Sequence, residues 1–400
     1  MSVSAATSIR PAEETASSRR RNVLLIDPLL VLGALGLVAC SLVTLHVATR
    51  GQVPGPSYYV ERQAIYAGIG LLAAIVLSSF DYSRLREYKF AFYGAMIVLN
   101  LLVFGTHPVN GSRRWLPFPL FQFQSSEFGK VLLILALSAF AVDRARRLHE
   151  RRTTARIMLL ALIPALIVIP QPDLGTSLVY VAIGFMLLFV AGTSWKQLTA
   201  LVALGATSIA LVLVVAPAFN VHVLQGYQQQ RLTTFINPPK VCTPKDTTCY
   251  QLNESEIAIG SGEKTGRGAT GANQTELGYL PAPSTDFIFA ALGETYGFIG
   301  AAVVLSLYAL LIWRALRILT MAKNLYGTLI AGGILGMLMF QVFVNVGMTI
   351  GIMPTTGVPL PLMSYGGSSV LVTFIALGLL QSVHIQARIA AAGKSRALVS

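Results

Sequence analysis

The sequence predicts an all-α integral membrane protein of about ten transmembrane helices, with one large extracytoplasmic loop between helices 7 and 8. Three observations carry this reading. Of 400 residues, 54% are hydrophobic and only 12% charged, against about 25% charged in an ordinary soluble domain. Apolar runs recur at 28–48, 63–80, 89–106, 126–142, 155–170, 174–192, 197–218, 286–313, 325–350 and 368–387, and crossing a bilayer takes roughly 20 residues each. The basic residues fall on alternate connections, as they do where short cytoplasmic loops hold an excess of Lys and Arg.

With the N-terminus inside, the inner segments hold Arg10, Lys196 and the clusters around Arg19, Arg84, Arg144 to Arg156, Arg314 to Lys323 and Arg388 to Arg396, in all 20 of the 30 lysines and arginines. Both termini are then cytoplasmic. The net charge of +13 reads as attraction to anionic membrane lipids on the inner leaflet, and so apolar a chain is no nucleic-acid binder. Residues 1–26 are rich in Ser, Ala and Arg without an apolar core, the composition of a disordered cytoplasmic tail. The first apolar run is too long for a cleaved signal peptide. Residues 27–390 form the membrane domain, and 391–400 a second cytoplasmic tail.

Most connections are short, but 219–285 is one long outer excursion, with amphipathic pieces such as Tyr250 to Ile259, and 107–124 and 351–367 are moderately long on the same side. Long loops concentrate function, so binding or chemistry belongs to the outer face. Where the long loop ends, in Pro283-Ser-Thr-Asp-Phe-Ile-Phe-Ala290, Asp286 stands at the membrane boundary. An ionisable group there is costly unless it is used; the other reading is a helix N-cap or first-turn acid. Glu127 and Lys130, three apart on one helix face, pair naturally, either to shape a cavity or to touch substrate. Glu294 is about two turns beyond Asp286, placed to tune it or to pair with Lys130. Asp173 in Gln171-Pro-Asp suits a turn or cap as well as a metal.

Cys40 lies in the first helix, whereas Cys242 and Cys249 fall in the outer segment, where oxidation is permitted, and form the disulfide candidate. The run Gly260-Ser-Gly-Glu-Lys-Thr-Gly-Arg-Gly268 imitates a phosphate loop but lacks the Gly-Lys-Ser/Thr ending and follows no buried strand, so no nucleotide is expected. Its glycines allow a tight turn or close backbone approach to a ligand. Asn253-Glu-Ser255 and Asn273-Gln-Thr275 match the glycosylation pattern, which matters only in a eukaryotic secretory pathway. From Pro354 to Ser369 irregular backbone sits between two helices; such backbone is tolerated at membrane depth only where protein or a watery cavity shields it. It serves either as a rigid turn or as a cavity wall offering Ser364, Tyr365, Ser368 and Ser369.

Four segments in order resemble the SEDS family (shape, elongation, division and sporulation proteins): Gly111-Ser-Arg-Arg-Trp115 with Gln124-Ser-Ser-Glu-Phe-Gly-Lys130; Gln171-Pro-Asp-Leu-Gly-Thr176; Ile257-Ala-Ile-Gly-Ser-Gly262 with Thr285-Asp-Phe-Ile-Phe289; and Pro359-Leu-Pro-Leu-Met-Ser-Tyr-Gly-Gly-Ser-Ser369. Gly293-Glu-Thr-Tyr-Gly297 and Asn345-Val-Gly-Met-Thr-Ile-Gly351 resemble the elongation, RodA-like branch more than the division branch. The resemblance implies a peptidoglycan glycosyltransferase that polymerises lipid II on the outer face of the bacterial cytoplasmic membrane, working with a class B penicillin-binding protein. It implies Asp286 as catalytic residue.

Diphosphate is a good leaving group, so one base for the acceptor hydroxyl plus cations for the departing phosphates suffices. Asp286 is the candidate base. Arg113, Arg114 and Arg231, with Lys264 and Arg267 more loosely placed, are the candidate phosphate holders, set against solvated or headgroup-bound charge. A divalent cation, Mg or Mn, held through Asp286 is compatible with the chemistry. A lipid II flippase needs a polar path through both leaflets, a secondary transporter needs paired broken halves, and a noncatalytic scaffold for the penicillin-binding protein needs neither.

Overall fold

The computed structural model describes residues 25–106, 114–117, 122–211, 231, 234–235 and 247–397. Its helices are α1 (Pro28–Ala48), α2 (Pro56–Ser78), α3 (Lys89–Leu102, entered through the 3₁₀ turn Tyr82–Tyr88), α4 (Ser125–Val142), α5 (Arg151–Val168), α6 (Leu174–Val190), α7 (Trp195–Ala210), α8 (Thr247–Ser261), the single turn α9 (Asn273–Glu276), α10 (Ile288–Met321), α11 (Leu325–Thr349) and α12 (Gly367–Ala397). Each predicted apolar run coincides with a helix. Seven helices among the described residues are long and apolar enough to cross a membrane. Of the other three of the expected ten, α5 begins with Arg151, Arg152 and Arg156 and α6 has 17 residues, while residues 212–218 of the run predicted for α7 lie outside the described residues.

Local chemistry sets the starts. Pro28 and Pro56 occupy first-turn positions of α1 and α2, where a missing N–H costs nothing. Asp27 accepts from the amides of Leu29 and Leu30, Asp173 from Thr176 and Asn324 from Gly327, each satisfying orphan donors of a first turn. Asp173 is therefore a cap, one of its two expected roles. Residues 391–397, expected in the terminal tail, continue α12. Residues 1–24 and 398–400 lie outside the described residues.

In lipid, helices associate by close packing through small residues. A Cβ on Gly336 of α11 would lie 2.5 Å from the Met186 side chain of α6, and one on Gly378 of α12 would lie 2.7 Å from Ala74 Cα of α2. α4, α6, α11 and α12 form the buried centre, with α1 against α10 and α2 against α12. Large apolar side chains such as Ile69, Leu72, Val76, Phe90, Leu166 and Phe343 point outward, as a lipid-facing surface requires.

Two features depart from a plain bundle. Trp115–Pro117 (β1) and Gln122–Gln124 (β2) form an antiparallel hairpin, Leu116 opposite Phe123, inside the predicted loop 107–124. More consequentially, α10 is broken at Gly297 (φ 63°, ψ −158°). The Gly-rich run fills the break with its own backbone. The amides of Arg267 and Gly268 donate to the carbonyls of Glu294 and Thr295 at 2.9 and 3.0 Å, and the amides of Phe298 and Ile299 donate to the carbonyls of Glu263 and Lys264 at 3.0 and 3.1 Å. Two carbonyls and two amides at the helix ends created by the break are thereby satisfied, part of the four orphan groups that each end carries. The glycines do allow a close backbone approach, but to another stretch of this chain. α8 packs on α10 and α11, with Ser255 and Ala258 fully buried and the Ser255 hydroxyl donating to Thr349 O at 2.8 Å. The expected amphipathic stretch in the long loop is thus a packed helix.

Gly297 occupies backbone that only glycine adopts readily, and a Cβ there would sit 2.4 Å from Gly266 N. Gly297→Ala is expected to destabilise the protein by about 2 kcal/mol or more, seen as a lowered thermal midpoint in detergent. An unchanged midpoint contradicts the packing described.

Candidate active site

Asp286 lies in the turn just before α10. The cap position of that helix is Phe287, and no side chain accepts from its first turn. The N-cap reading of Asp286 is therefore not what the structure contains, and its carboxylate makes no hydrogen bond among the described residues. It faces a cavity of about 550 Å³ lined by Tyr58, Tyr59, Arg62 and Tyr66 from α2, Arg114, Trp115 and Gln124 from the hairpin, Thr285, Gly357 and Pro359, and Tyr365 to Ser369 at the entry to α12. Asp286 is half-buried and open to the cavity.

The backbone that carries Asp286 is held carbonyl by carbonyl. Ser284 O accepts from Tyr365 N at 2.9 Å, Thr285 O from the Ser364 hydroxyl at 2.7 Å, and Asp286 O from Asn345 Nδ2 at 3.0 Å. Asn345 Nδ2 also donates to Val358 O at 2.8 Å, and the Ser364 hydroxyl accepts from Leu360 N at 2.8 Å. One polar clip thus joins the turn before α10, the middle of α11 and the irregular segment before α12.

Two guanidinium groups reach the acid. A Cβ placed on Gly357 would be 3.5 Å from Asp286 Oδ2 and 3.6 Å from Arg231 Nη1, so both side chains approach that glycine. Arg114 is anchored by Nε donating to Gln171 O at 3.1 Å. Burial pushes the Asp286 carboxyl above the usual carboxylate range; Arg231 and Arg114 oppose this and Asp173 adds to it. Asp173 itself is engaged: its carboxylate accepts from the Ser126 hydroxyl at 2.9 Å, Gln124 Nε2 at 3.0 Å and Thr176 N at 3.2 Å.

The opposite wall is aromatic and basic. The Tyr365 and Tyr59 rings meet edge to face with centroids 5.0 Å apart, and the Arg62 guanidinium lies 4.4 Å from the Tyr58 ring centre. Sequence reasoning passed over Tyr58, Tyr59, Arg62 and Tyr66. The signal for them is Tyr58-Tyr-Val-Glu-Arg-Gln63, two charges and two tyrosines where an apolar run begins on the same outer end. Asn345, in a matched segment but not singled out, is a second omission.

Of the other candidates, Tyr365 and Ser368 line the cavity, the Ser368 hydroxyl accepting from Gln124 N at 2.9 Å. Ser364 stands behind the wall in the clip. Glu127 and Lys130 form an ion pair at 2.6 Å, both about 1% exposed, and neither lines the cavity; of their two expected roles the structure contains the structural pair. Glu294 neither tunes Asp286 nor meets Lys130. It accepts from Gln274 N at 2.8 Å, Thr275 N at 3.0 Å and the Thr275 hydroxyl at 2.5 Å, because the break at Gly297 brings α9 to it. Lys264 and Arg267 sit on the exposed side of the insert, and neither lines the cavity. Cys249 is disulfide-bonded and Cys40 is free; Arg113 and Cys242 lie outside the described residues.

The donor set around Asp286 is one carboxylate flanked by two guanidinium groups, with Asp173 already saturated by hydrogen bonds, and no cluster of three His, Cys, Asp or Glu exists among the described residues. These residues do not fit a divalent ion held by protein ligands.

Comparison with known proteins places this geometry in context. Residues 22–389 match the family model for the FtsW, RodA and SpoVE cell cycle proteins. The chain is 37% identical over 376 residues to a probable peptidoglycan glycosyltransferase FtsW of Thioalkalivibrio sulfidiphilus, covering 92% of this chain and 90% of that protein. It is 34% identical over 362 residues to the peptidoglycan glycosyltransferase MrdB of Escherichia coli K12, covering 90% and 93%. Among solved structures, a chain of a peptidoglycan synthase complex that coordinates polymerization and crosslinking superposes with a TM-score of 0.74 at 32% identity, over 90% of this chain and 98% of that one.

Breaking a buried ion pair on one side costs about 3–5 kcal/mol, whereas replacing both partners is far milder. Glu127→Gln is expected to lose that much stability in detergent unfolding, and Glu127→Gln with Lys130→Met to recover most of it. A double variant no better than the single one would reject the purely structural pairing.

Proposed function

The chain belongs to the FtsW, RodA and SpoVE family of cell cycle proteins, and from that membership we propose that it is a peptidoglycan glycosyltransferase that polymerises lipid II on the outer face of the bacterial cytoplasmic membrane, with Asp286 as general base. The observation that carries the reading is a carboxylate without a hydrogen bond among the described residues, facing the cavity at the start of α10 with Arg114 in the same wall and Arg231 close by.

The Asp286 carboxylate takes the proton of an acceptor sugar hydroxyl as that oxygen attacks the donor's anomeric carbon. The bond from that carbon to the lipid diphosphate breaks, and the diphosphate leaves with the electron pair. Arg114 and Arg231 are placed to receive the developing charge, and guanidinium forks suit phosphate oxygens. The Arg62 and tyrosine wall faces them across the cavity and suits sugar and phosphate contact. A volume of about 550 Å³ holds the reacting sugars and phosphates of so large a substrate; the lipid tail belongs outside it, along the apolar surface.

Helices α4, α10 and α12 start at the cavity and run toward Arg144, Arg314 and Arg388 respectively. With basic ends facing the cytoplasm, Asp286 faces the wall and both termini face inside. A class B penicillin-binding protein is the partner that this reading expects, and elongation rather than division is the setting that the motifs at Gly293 and Asn345 favour.

Asp286→Asn should lower polymerisation of labelled lipid II by about 10²-fold or more, read as loss of glycan chains on gels, with the wild-type thermal midpoint retained. Normal chain formation would refute the base, and lipid movement between leaflets without polymer would favour a flippase. A base must be ionised, so activity should fall as pH drops, and burial places that limb above the ordinary carboxylate range. Arg231→Gln removes a charge that lowers the Asp286 pKa, so the acid limb should move to higher pH. A limb that stays in place would exclude this electrostatic role.

A further inference from the structure

At the end of the bundle remote from Asp286, the turn between α4 and α5 folds into a concave site of about 540 Å³ lined by Arg144, Arg146, Arg147, Arg152 and Arg156. We propose that this site binds a phosphate group, carried by an anionic phospholipid or by a small soluble phosphate.

Its charge balance is the reason. The two carboxylates on its rim are already committed: Asp143 is paired with Arg86 and Lys89, and Glu150 lies 3.8 Å from Arg147. The guanidinium groups of Arg144, Arg146, Arg152 and Arg156 have no ion-pair partner among the described residues. Like charges four apart on a helix repel, and Arg152 and Arg156 are so spaced. They also open α5, whose cap residue Glu150 makes no side-chain cap bond and whose first turn holds no acid, so they sit at the end of the helix where its dipole disfavours cations. Cations gathered in a concavity against both effects are relieved by a bound phosphate anion, and guanidinium forks match phosphate oxygens. A lipid would extend naturally from the site, because the exposed face of α5 turns apolar at once with Leu159, Ile163 and Leu166.

The full-length protein in a neutral detergent is titrated with dioleoylphosphatidylglycerol, with dioleoylphosphatidylcholine as the uncharged comparison, and bound lipid is counted by native mass spectrometry. Arg152→Gln with Arg156→Gln should weaken phosphatidylglycerol retention roughly tenfold or more, since each cation near a lipid surface contributes about 1 kcal/mol. Arg317→Gln, a basic change elsewhere on the same end, should leave it unchanged. The single loop variant Arg146→Gln supplies the measurement if the double variant has a lowered thermal midpoint. Displacement of the lipid by millimolar inorganic phosphate identifies a site open to soluble phosphate; resistance to it identifies a lipid headgroup site. Equal retention by wild type and the pocket variants, equal loss in Arg317→Gln, or equal retention of phosphatidylcholine overturns the proposal.

Discussion

Three consecutive carbonyls, those of Ser284, Thr285 and Asp286, each find a donor from the segment before α12 or from α11. Irregular backbone near membrane depth has no water to fall back on, so each of these groups would otherwise be left unbonded at a cost of several kcal/mol. The clip made by Tyr365 N, Ser364 and Asn345 removes that cost, and in doing so it fixes the direction in which the Asp286 side chain leaves the backbone. Because the donors come from residues 59 to 81 positions away in the chain, the acid is positioned only when α10, α11 and α12 are all in place. The same strand of irregular chain supplies Gly357, Pro359 and Tyr365 to the cavity, so the support and the wall are one structure.

The electrostatics follow from that placement. A carboxylate held away from hydrogen-bond donors and largely enclosed by protein is poorly stabilised as an anion, which raises its proton affinity, and Arg114 and Arg231 temper the effect. The Glu127 and Lys130 pair solves the same problem in the opposite way: each charge is neutralised at 2.6 Å, leaving neither for chemistry. Asp173 is likewise fully used by Gln124, Ser126 and Thr176. Among the neighbouring acids, Asp286 is distinguished by what it lacks.

The features that were legible in the sequence were those with local signatures. Apolar runs marked α1 to α7 and α10 to α12 but not α8 and α9, which lie in the polar outer excursion, and length and polarity leave α5, α6 and α7 outside the spanning set among the described residues. An acid at a polar-to-apolar boundary marked Asp286, and spacing by three marked the ion pair. Tyr58, Tyr59 and Arg62 were passed over because they precede the apolar run 63–80, and only the fold shows that this end of α2 faces Asp286. Glu294 misled for a different reason. Helical spacing from Asp286 was sound as far as Tyr296, but the break at Gly297 admits a second stretch of chain and brings α9 to the carboxylate. Glycines and backbone hydrogen bonds bridging some thirty residues leave no periodic trace, so the Gly-rich run read only as a turn or an approach to something unidentified.

That insertion ties two distant properties together. The nine residues from Ile288 to Tyr296 are fastened above by the clip on Asp286 and below by four amide links to residues 263 to 268. To withdraw the insert would break all four of these backbone bonds and leave two carbonyls and two N–H groups at the break without their partners, so the short helix and its plug must travel as one rigid splint. Lys264 and Arg267 ride on the outward side of the same piece, which makes the aqueous surface of the protein and the reactive carboxyl parts of a single mechanical body.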